Sequence, residues 1–527
     1  MSLRTLGLFA AILASATQAS TTHQDLHNGI ATDWPALRFQ FTVKRSSMQV
    51  HGQSSFTMFA NPVVSSDDSQ VLYDTFTTFT ENSIPANYTV LDGVSYVSHQ
   101  LLDVKSSNPL VECADLDTLP SINSIVSVLS DAVAVSSIST SSGKLIECAS
   151  GKSFKVTWNG VNFGLCFSGS SGFTMHGNDV DVVVEYEKEK VIINAPRMEE
   201  KCAKSVFSSA VTSIGKSLLT GEPFSAQDAR KLEAAFGFEF TLAETICGCR
   251  STPRPCVFLH GLAAFKEEKG NLNVDPYWGN LTNHAPCCSS MQYVRLETMN
   301  TSWTDTKQQH KVCDHLLAVN KNNQNSTISD TIIVTHSMGG LLVAAALASR
   351  KCHVDSSTSW VAIASPMRGS MSSDYFQESC KDNTNFVMEA LIDYTGLCPG
   401  GDGIRSLAYE EEKYSSKKLD ALYVAAQKAY RSHVTAAMCS NGNTGLRSNR
   451  QAIYWVLGRT MNHKSSKNDG IVEFYSCAGG FPESKFGETY HDRFYVTKLN
   501  HADAAFRNGD ALLNTEKMPL KWFECLL

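Results

Sequence analysis

The stretch that most constrains this chain runs from Thr331 to Ser349, TIIVTHSMGGLLVAAALAS. It opens with a β-branched run, Ile332 to Val334, turns around Ser337, Gly339 and Gly340, and closes in an apolar run of helical composition. A buried strand-turn-helix explains it better than a bilayer helix, because His336, Ser337 and the glycine pair interrupt the apolar run. A tight strand-to-helix turn forces its central residue into strained backbone space and demands small neighbours. The serine sits at a helix N-terminus, where negative charge developing on its oxygen is favoured. The plainer alternative is that Ser337 only caps the helix.

The turn matches the nucleophile elbow G-x-S-x-G except that Thr335 replaces the first glycine. Such a serine needs an acid and then a base, in that order along the chain. AIYWVLGR (452–459) reads as a strand, and Asp469 follows it in SSKNDGIVEF, where the acid should emerge. RFYVTKLNHADAAF then reads as a strand leading directly to His501, the candidate base. Competing residues fail on position. His491 precedes the last strand, His463 precedes the acid, and His433 falls in a helical stretch expected to belong to a cap. Asp492 and Asp503 lie near histidines but outside the strand-to-loop context, and Asp402, in PGGDG, reads as a turn residue.

Two further segments flank the elbow. PCVFLHGLAAF is an apolar strand ending at His260-Gly261-Leu262, and VAIASPMRGS enters Ser365-Pro366-Met367-Arg368-Gly369-Ser370. These elements, in one order from residue 256 to 506, resemble secreted triacylglycerol lipases and esterases of the α/β-hydrolase type, and related GPI inositol-deacylase-type hydrolases. The resemblance implies an α/β-hydrolase fold for the C-terminal half. It makes the backbone N–H groups of Leu262 and Met338 the oxyanion donors, with Ser337, Asp469 and His501 as the triad. His260 then shapes its loop rather than acting as base. Arg368 could clamp an anionic group, against the plainer reading of a structural salt bridge. Residues 371–450 correspond to a cap or lid, or else to a peripheral insertion. The implied chemistry is cleavage of carboxylic esters, of lipids above all, with no cofactor and no metal. An acyltransferase using the same triad and an inactive hydrolase-fold binding protein are the alternatives.

The rest of the chain sets the context. Residues 1–19 read as a signal peptide, with Arg4 ahead of an apolar stretch and small residues before a cut after Ala19. All 16 cysteines follow that point, an even number suited to disulfides in an oxidising compartment, so the protein is expected to be secreted. Cys287 and Cys288 are adjacent and should have different partners. Sequons at Asn87, Asn280, Asn300 and Asn325 fit a glycosylated surface. A net charge of −7 supplies no basic field for nucleic acid. The expected partner is a small-molecule or lipid ester, with transient contact at a lipid interface, and oligomeric state is left open.

With 527 residues the chain should form more than one domain. Residues 20–198 alternate β-branched and polar residues, as in RFQFTV, KSFKVTW and DVDVVVEY, which predicts a β-rich antiparallel α+β domain. LPSINSIVSVLSDAV reads as a helix lying on that sheet. Strand order around one helix faintly resembles the curved half-barrels that carry lipids or lipoproteins, against the plainer reading of a structural appendage. Residues 199–248 read as a helical connector with Ser225 as an N-cap, and 249–527 as the α/β domain.

Overall fold

The structure, a computed structural model, describes residues 34–81, 84–99, 110–113, 119–197, 202–234, 238–243, 247–262, 264–380, 400–446, 448 and 451–527. The signal-peptide reading and the helical-looking FVMEALIDY at 386–394 lie outside them. Two compact units emerge, Met1–Thr245 and Ile246–Leu527.

In the first unit strict alternation makes a sheet. β1 (Ala36–Val43) buries Leu37, Phe39, Phe41 and Val43 and turns Arg38, Gln40 and Thr42 the other way. With it run β2 (Ser55–Val64), β3 (Gln70–Glu81), β4 (Ile84–Leu91), β5 (Val94–His99), β6 (Leu110–Cys113), β7 (Val133–Val135), β8 (Ser153–Trp158), β9 (Val161–Phe167), β10 (Phe173–His176) and β11 (Val180–Glu187). The order is β6-β5-β4-β3-β2-β1-β11-β10-β9-β8-β7, every pairing antiparallel. The expected helix is shorter than its apolar stretch: α1 (Ile125–Ser130) stops where β7 begins. Asn123 pins the helix entry, accepting from Tyr73 N at 2.6 Å and donating to Tyr73 O at 2.8 Å. Trp158 Nε1 donates to Ser124 Oγ at 2.7 Å. α2 (Ser213–Thr220) and α3 (Ala226–Ala234) follow, and Ser225 Oγ accepts from Asp228 N at 3.1 Å as an N-cap does.

The second unit carries a parallel sheet formed by β12 (Arg254–Leu259), β13 (Cys288–Val294), β14 (Ile332–His336), β15 (Ser359–Ile363), β16 (Val434–Ser440) and β17 (Phe494–Thr497). Its order is β13-β12-β14-β15-β16-β17. Both faces are covered, so neighbouring strand residues enter different cores. Cys256, Phe258, Ile332 and Val334 pack with Trp278, Phe506 and Trp522. Val257, Leu259 and Ile333 pack with α4 (Thr306–Leu317), α5 (Met338–Ala348) and α7 (Lys417–His433). A further helix, α6 (Met371–Ser379), precedes α7 in the chain.

One expected element is corrected. AIYWVLGR is no strand: it lies in helix α8 (Gln451–Thr460), where Tyr454, Leu457 and Met461 recur at helical spacing in a core with Phe376 and Ile404. The strand before the acid is instead β16, VTAAMCS, whose alanines and cysteine give little β signal. The span 371–450 therefore holds a covering helix and a sheet strand, and His433 ends α7 rather than a helix confined to a cap.

Cys287 and Cys288 pair apart, with Cys249 and Cys256 respectively. Further bridges join Cys113–Cys202, Cys148–Cys166, Cys247–Cys525, Cys313–Cys352 and Cys439–Cys477, and Cys380 is bridged too. Asn280, Asn300 and Asn325 are exposed and Asn87 is half-buried. Among the described residues no helix is long and apolar enough to cross a membrane.

Peptide mapping without reduction should recover the Cys249–Cys287 and Cys256–Cys288 cross-links. Replacing Cys256 and Cys288 together by serine should lower unfolding free energy by about 2–4 kcal/mol in denaturant titration.

Candidate active site

Ser337 sits between β14 and α5 at φ 55°, ψ −133°, a backbone state that an L-residue leaves unless held. Its N–H donates to Ile363 O at 2.9 Å, tying the turn to β15. Glycine is required beside it. A Cβ on Gly339 would lie 2.5 Å from Leu259 O, and one on Gly340 would lie 2.1 Å from Ser365 Oγ. Thr335 is tolerated where the motif has glycine because its side chain enters the buried layer, where Trp360 Nε1 donates to its hydroxyl at 3.0 Å.

The loop after β17 brings His501 to the serine, with Nε2 at 2.9 Å from Ser337 Oγ. Its Nδ1 lies 2.7 Å from Asp469 Oδ2. Because a carboxylate only accepts, Nδ1 carries the proton and Nε2 offers its lone pair to the serine hydroxyl. His501 N also donates to Asp469 O at 2.9 Å, so main chain as well as side chain joins base to acid. The other carboxylate oxygen of Asp469 accepts from Ile471 N at 2.9 Å and Val472 N at 2.6 Å. All three side chains are nearly closed to solvent.

Leu262 and Met338 flank the serine. Gly261 O accepts from Thr298 Oγ1 at 3.0 Å and from His260 Nδ1 at 2.7 Å. In a trans peptide N–H and C=O point oppositely, so this anchoring turns the Leu262 N–H away from the two donors. Gly261 itself allows the approach, since a Cβ there would meet Ser337 Cβ at 2.5 Å. His260 Nε2 accepts from Leu296 N at 3.2 Å, and burial holds its ring below the usual histidine range. It shapes the loop. Met338 is the first residue of α5, where an N–H has no partner within the helix.

A small cavity opens at Ser337, lined by Leu262, Pro366, Phe376, Ile404, Leu407, Ile471, Val472 and three serines. The serine hydroxyls are spent on backbone carbonyls. Ser370 and Ser372 both donate to Ile471 O, at 2.5 and 2.8 Å, and Ser373 donates to Ile404 O at 2.6 Å. The wall therefore behaves as apolar.

The other titratable groups are engaged elsewhere. Arg368 Nε donates to Glu410 Oε2 at 2.8 Å, the structural ion pair. His463 Nδ1 pairs with Glu473 Oε1 at 2.6 Å, and Asp402 pairs with Arg405 on the surface. Asp492 accepts from Thr489 N at 3.0 Å, and Asp503 accepts from Leu446 N at 2.6 Å. His433 and His491 are each held down in pKa by burial. Two residues escaped the sequence reading, Tyr277 and the role of His336. Tyr277 Oη lies 2.5 Å from His336 Nδ1 and accepts from Gly261 N at 3.1 Å. Neither carries a motif beyond adjacency to the elbow. Among the described residues no group of three or more metal-ligating side chains is gathered.

No family model matches the chain, and no curated protein matches it. Solved structures that are similar include a Bacillus licheniformis lipase, 16% identical, covering 48% of this chain and 87% of that one at a TM-score of 0.32. A Staphylococcus hyicus lipase is 14% identical, covering 52% of this chain and 95% of that one at a TM-score of 0.28. A metagenomic carboxyl esterase is 14% identical, covering 55% and 79% at a TM-score of 0.30.

Thr335→Val should leave the Trp360 N–H unpaired and reduce stability by about 1–3 kcal/mol in urea titration. A pH effect comes from Asp374 in α6, whose carboxyl burial pushes up to about 6, with Glu412 and Glu473 adding repulsion. A carboxyl raised above its unfolded value of about 4 contributes stability that is lost as pH rises from there through about 6. The urea midpoint of wild type minus that of Asp374→Asn should therefore fall across this window; a flat difference would contradict the assignment.

Proposed function

We propose that this protein is a secreted serine hydrolase that cleaves carboxylic esters with apolar acyl groups. The observation that carries the reading is the Ser337–His501–Asp469 chain of 2.9 and 2.7 Å contacts beside the apolar cavity. His501 Nε2 takes the Ser337 proton as Oγ attacks the ester carbonyl, and the oxyanion forms against the N–H groups of Leu262 and Met338. Asp469 holds the imidazole tautomer and offsets its charge once protonated. The tetrahedral intermediate collapses, and the leaving alcohol takes the proton back from His501. Water then attacks the acyl-enzyme as His501 takes its proton, and Ser337 Oγ takes that proton back as the second intermediate collapses and the acid leaves. The disulfides favour an oxidising compartment, which is the support for secretion.

Ser337→Ala should fold and keep its disulfides but lose about four to six decades of turnover. A fluorophosphonate should label the wild type alone, and equal labelling of both proteins would overturn the nucleophile. Across soluble esters of rising acyl length, kcat/KM should climb about fourfold per methylene until the cavity is full. A flat or falling series would remove the acyl pocket. If added alcohol captures more of the acyl group than water does, the enzyme is an acyltransferase.

A further inference from the structure

The geometry points to His336 and Tyr277 as positioning residues: together they form a strap that fixes the oxyanion loop and the backbone of the base in one register. The inference rests on the serine-hydrolase reading above.

His336 is almost fully buried behind the elbow. Its Nε2 lies 2.9 Å from His501 O and its Nδ1 lies 2.5 Å from Tyr277 Oη, which in turn is 3.1 Å from Gly261 N. The chemistry of the ends assigns every proton. His501 O can only accept, so His336 Nε2 carries hydrogen. A neutral imidazole then presents a lone pair at Nδ1, so the Tyr277 hydroxyl donates to it. The phenol oxygen keeps a lone pair for the Gly261 N–H. The chain runs Gly261 to Tyr277 to His336 to the carbonyl of His501. Burial, with His501 and Arg507 nearby, holds His336 well below the usual histidine range, which keeps the ring in this neutral form.

The strap's two ends are the loop that presents the oxyanion donor and the backbone of the base in the proposed chemistry. Gly261 N is tied to Tyr277 and Gly261 O to Thr298 and His260, so the two successive peptide planes that meet at Gly261, the second carrying the Leu262 N–H, are both held. At the other end the carbonyl of His501 is held while its ring faces Ser337 and Asp469. The three groups converge on one point: a Cβ on Gly261 would stand 3.0 Å from both Ser337 Oγ and Tyr277 Oη. Tyr277 is itself clamped, with the Arg507 guanidinium 4.5 Å above its ring and Arg507 Nε donating to Tyr277 O at 2.7 Å. Every contact described for His336 and Tyr277 is to protein groups, Gly261 N and His501 O at the two ends, so the role assigned to them is one of position.

Tyr277→Phe removes one oxygen and keeps the ring. It should lower kcat on a short soluble ester by about tenfold to a hundredfold and leave KM within about twofold. The rate of fluorophosphonate labelling should fall in parallel, with the melting temperature close to wild type. His336→Gln, which keeps a donor near the Nε2 position, should retain more kcat than His336→Leu. Adding Tyr277→Phe to His336→Leu should cost little more, because the strap is already cut. Wild-type kcat and labelling rate in Tyr277→Phe, or a change confined to KM, would overturn the strap while leaving the hydrolase reading intact. A wild type that turns over no ester and takes up no probe would overturn both.

Discussion

An L-serine at φ 55° does not stay there unaided, and the α/β unit is organised around holding Ser337 in that state. The local strain is of order 1–3 kcal/mol. It is offset by what the turn joins: a strand sealed on both sides and a helix, α5, whose residues Leu341, Leu342 and Ala344 have no exposed surface. Each large side chain buried this way contributes about 1.5–3 kcal/mol, so the turn cannot relax without extracting several of them. The glycine requirements follow. Gly261, Gly339 and Gly340 are the places where strand β12, helix α5 and the segment at Ser365 press closest to the elbow.

The acid is held by a different means, because it does not leave the end of its strand. Between Ser440 and Asp469 the chain passes through helix α8, and so long an excursion needs anchoring to place a carboxylate reproducibly. The anchors are several. Asp469 N donates to Val472 O at 3.0 Å, Ile471 O receives Ser370 and Ser372, and Cys477 is bridged to Cys439 on β16. Ser370 also caps α6, accepting from Ser372 N at 3.1 Å. One serine thus connects the loop of the acid to a helix in the cavity wall, and apolar lining and acid placement are properties of the same hydrogen bonds.

Legibility followed periodicity. The alternation in Ala36–Val43 fixes one element type, since the wrong period would put polar groups in a core, and at Ile332–Val334 the β-branched residues running straight into the elbow motif fix the other. The glycines and Ser337 were readable for the same reason. VTAAMCS gives no readable strand signal and AIYWVLGR reads as a strand although it lies in a helix, because short apolar runs carry no period long enough to separate the two. In the first, small residues reflect a strand squeezed between β15 and β17; in the second, Tyr454, Leu457 and Met461 serve one helix face. Asp469 and His501 could be nominated from their order along the chain alone, and the structure brings both side chains into one hydrogen-bonded row with Ser337. Tyr277 could not be found so, since its partners Gly261 and His336 meet it only in three dimensions.

His336, the residue before Ser337, supplies both a donor and an acceptor inside a dry layer. An apolar residue of similar volume would pack equally well and would leave His501 O and the Tyr277 hydroxyl without the partner they have here. Burying two unpaired polar groups is more costly than burying a satisfied chain of them. Thr335, one residue earlier, obeys the same logic on the opposite face by receiving the Trp360 N–H. The two positions flanking the strand's end therefore carry hydrogen-bonding side chains in opposite directions, and each is saturated. The elbow is thus fixed by polar contacts on both sides of the sheet as well as by the apolar packing that makes it legible.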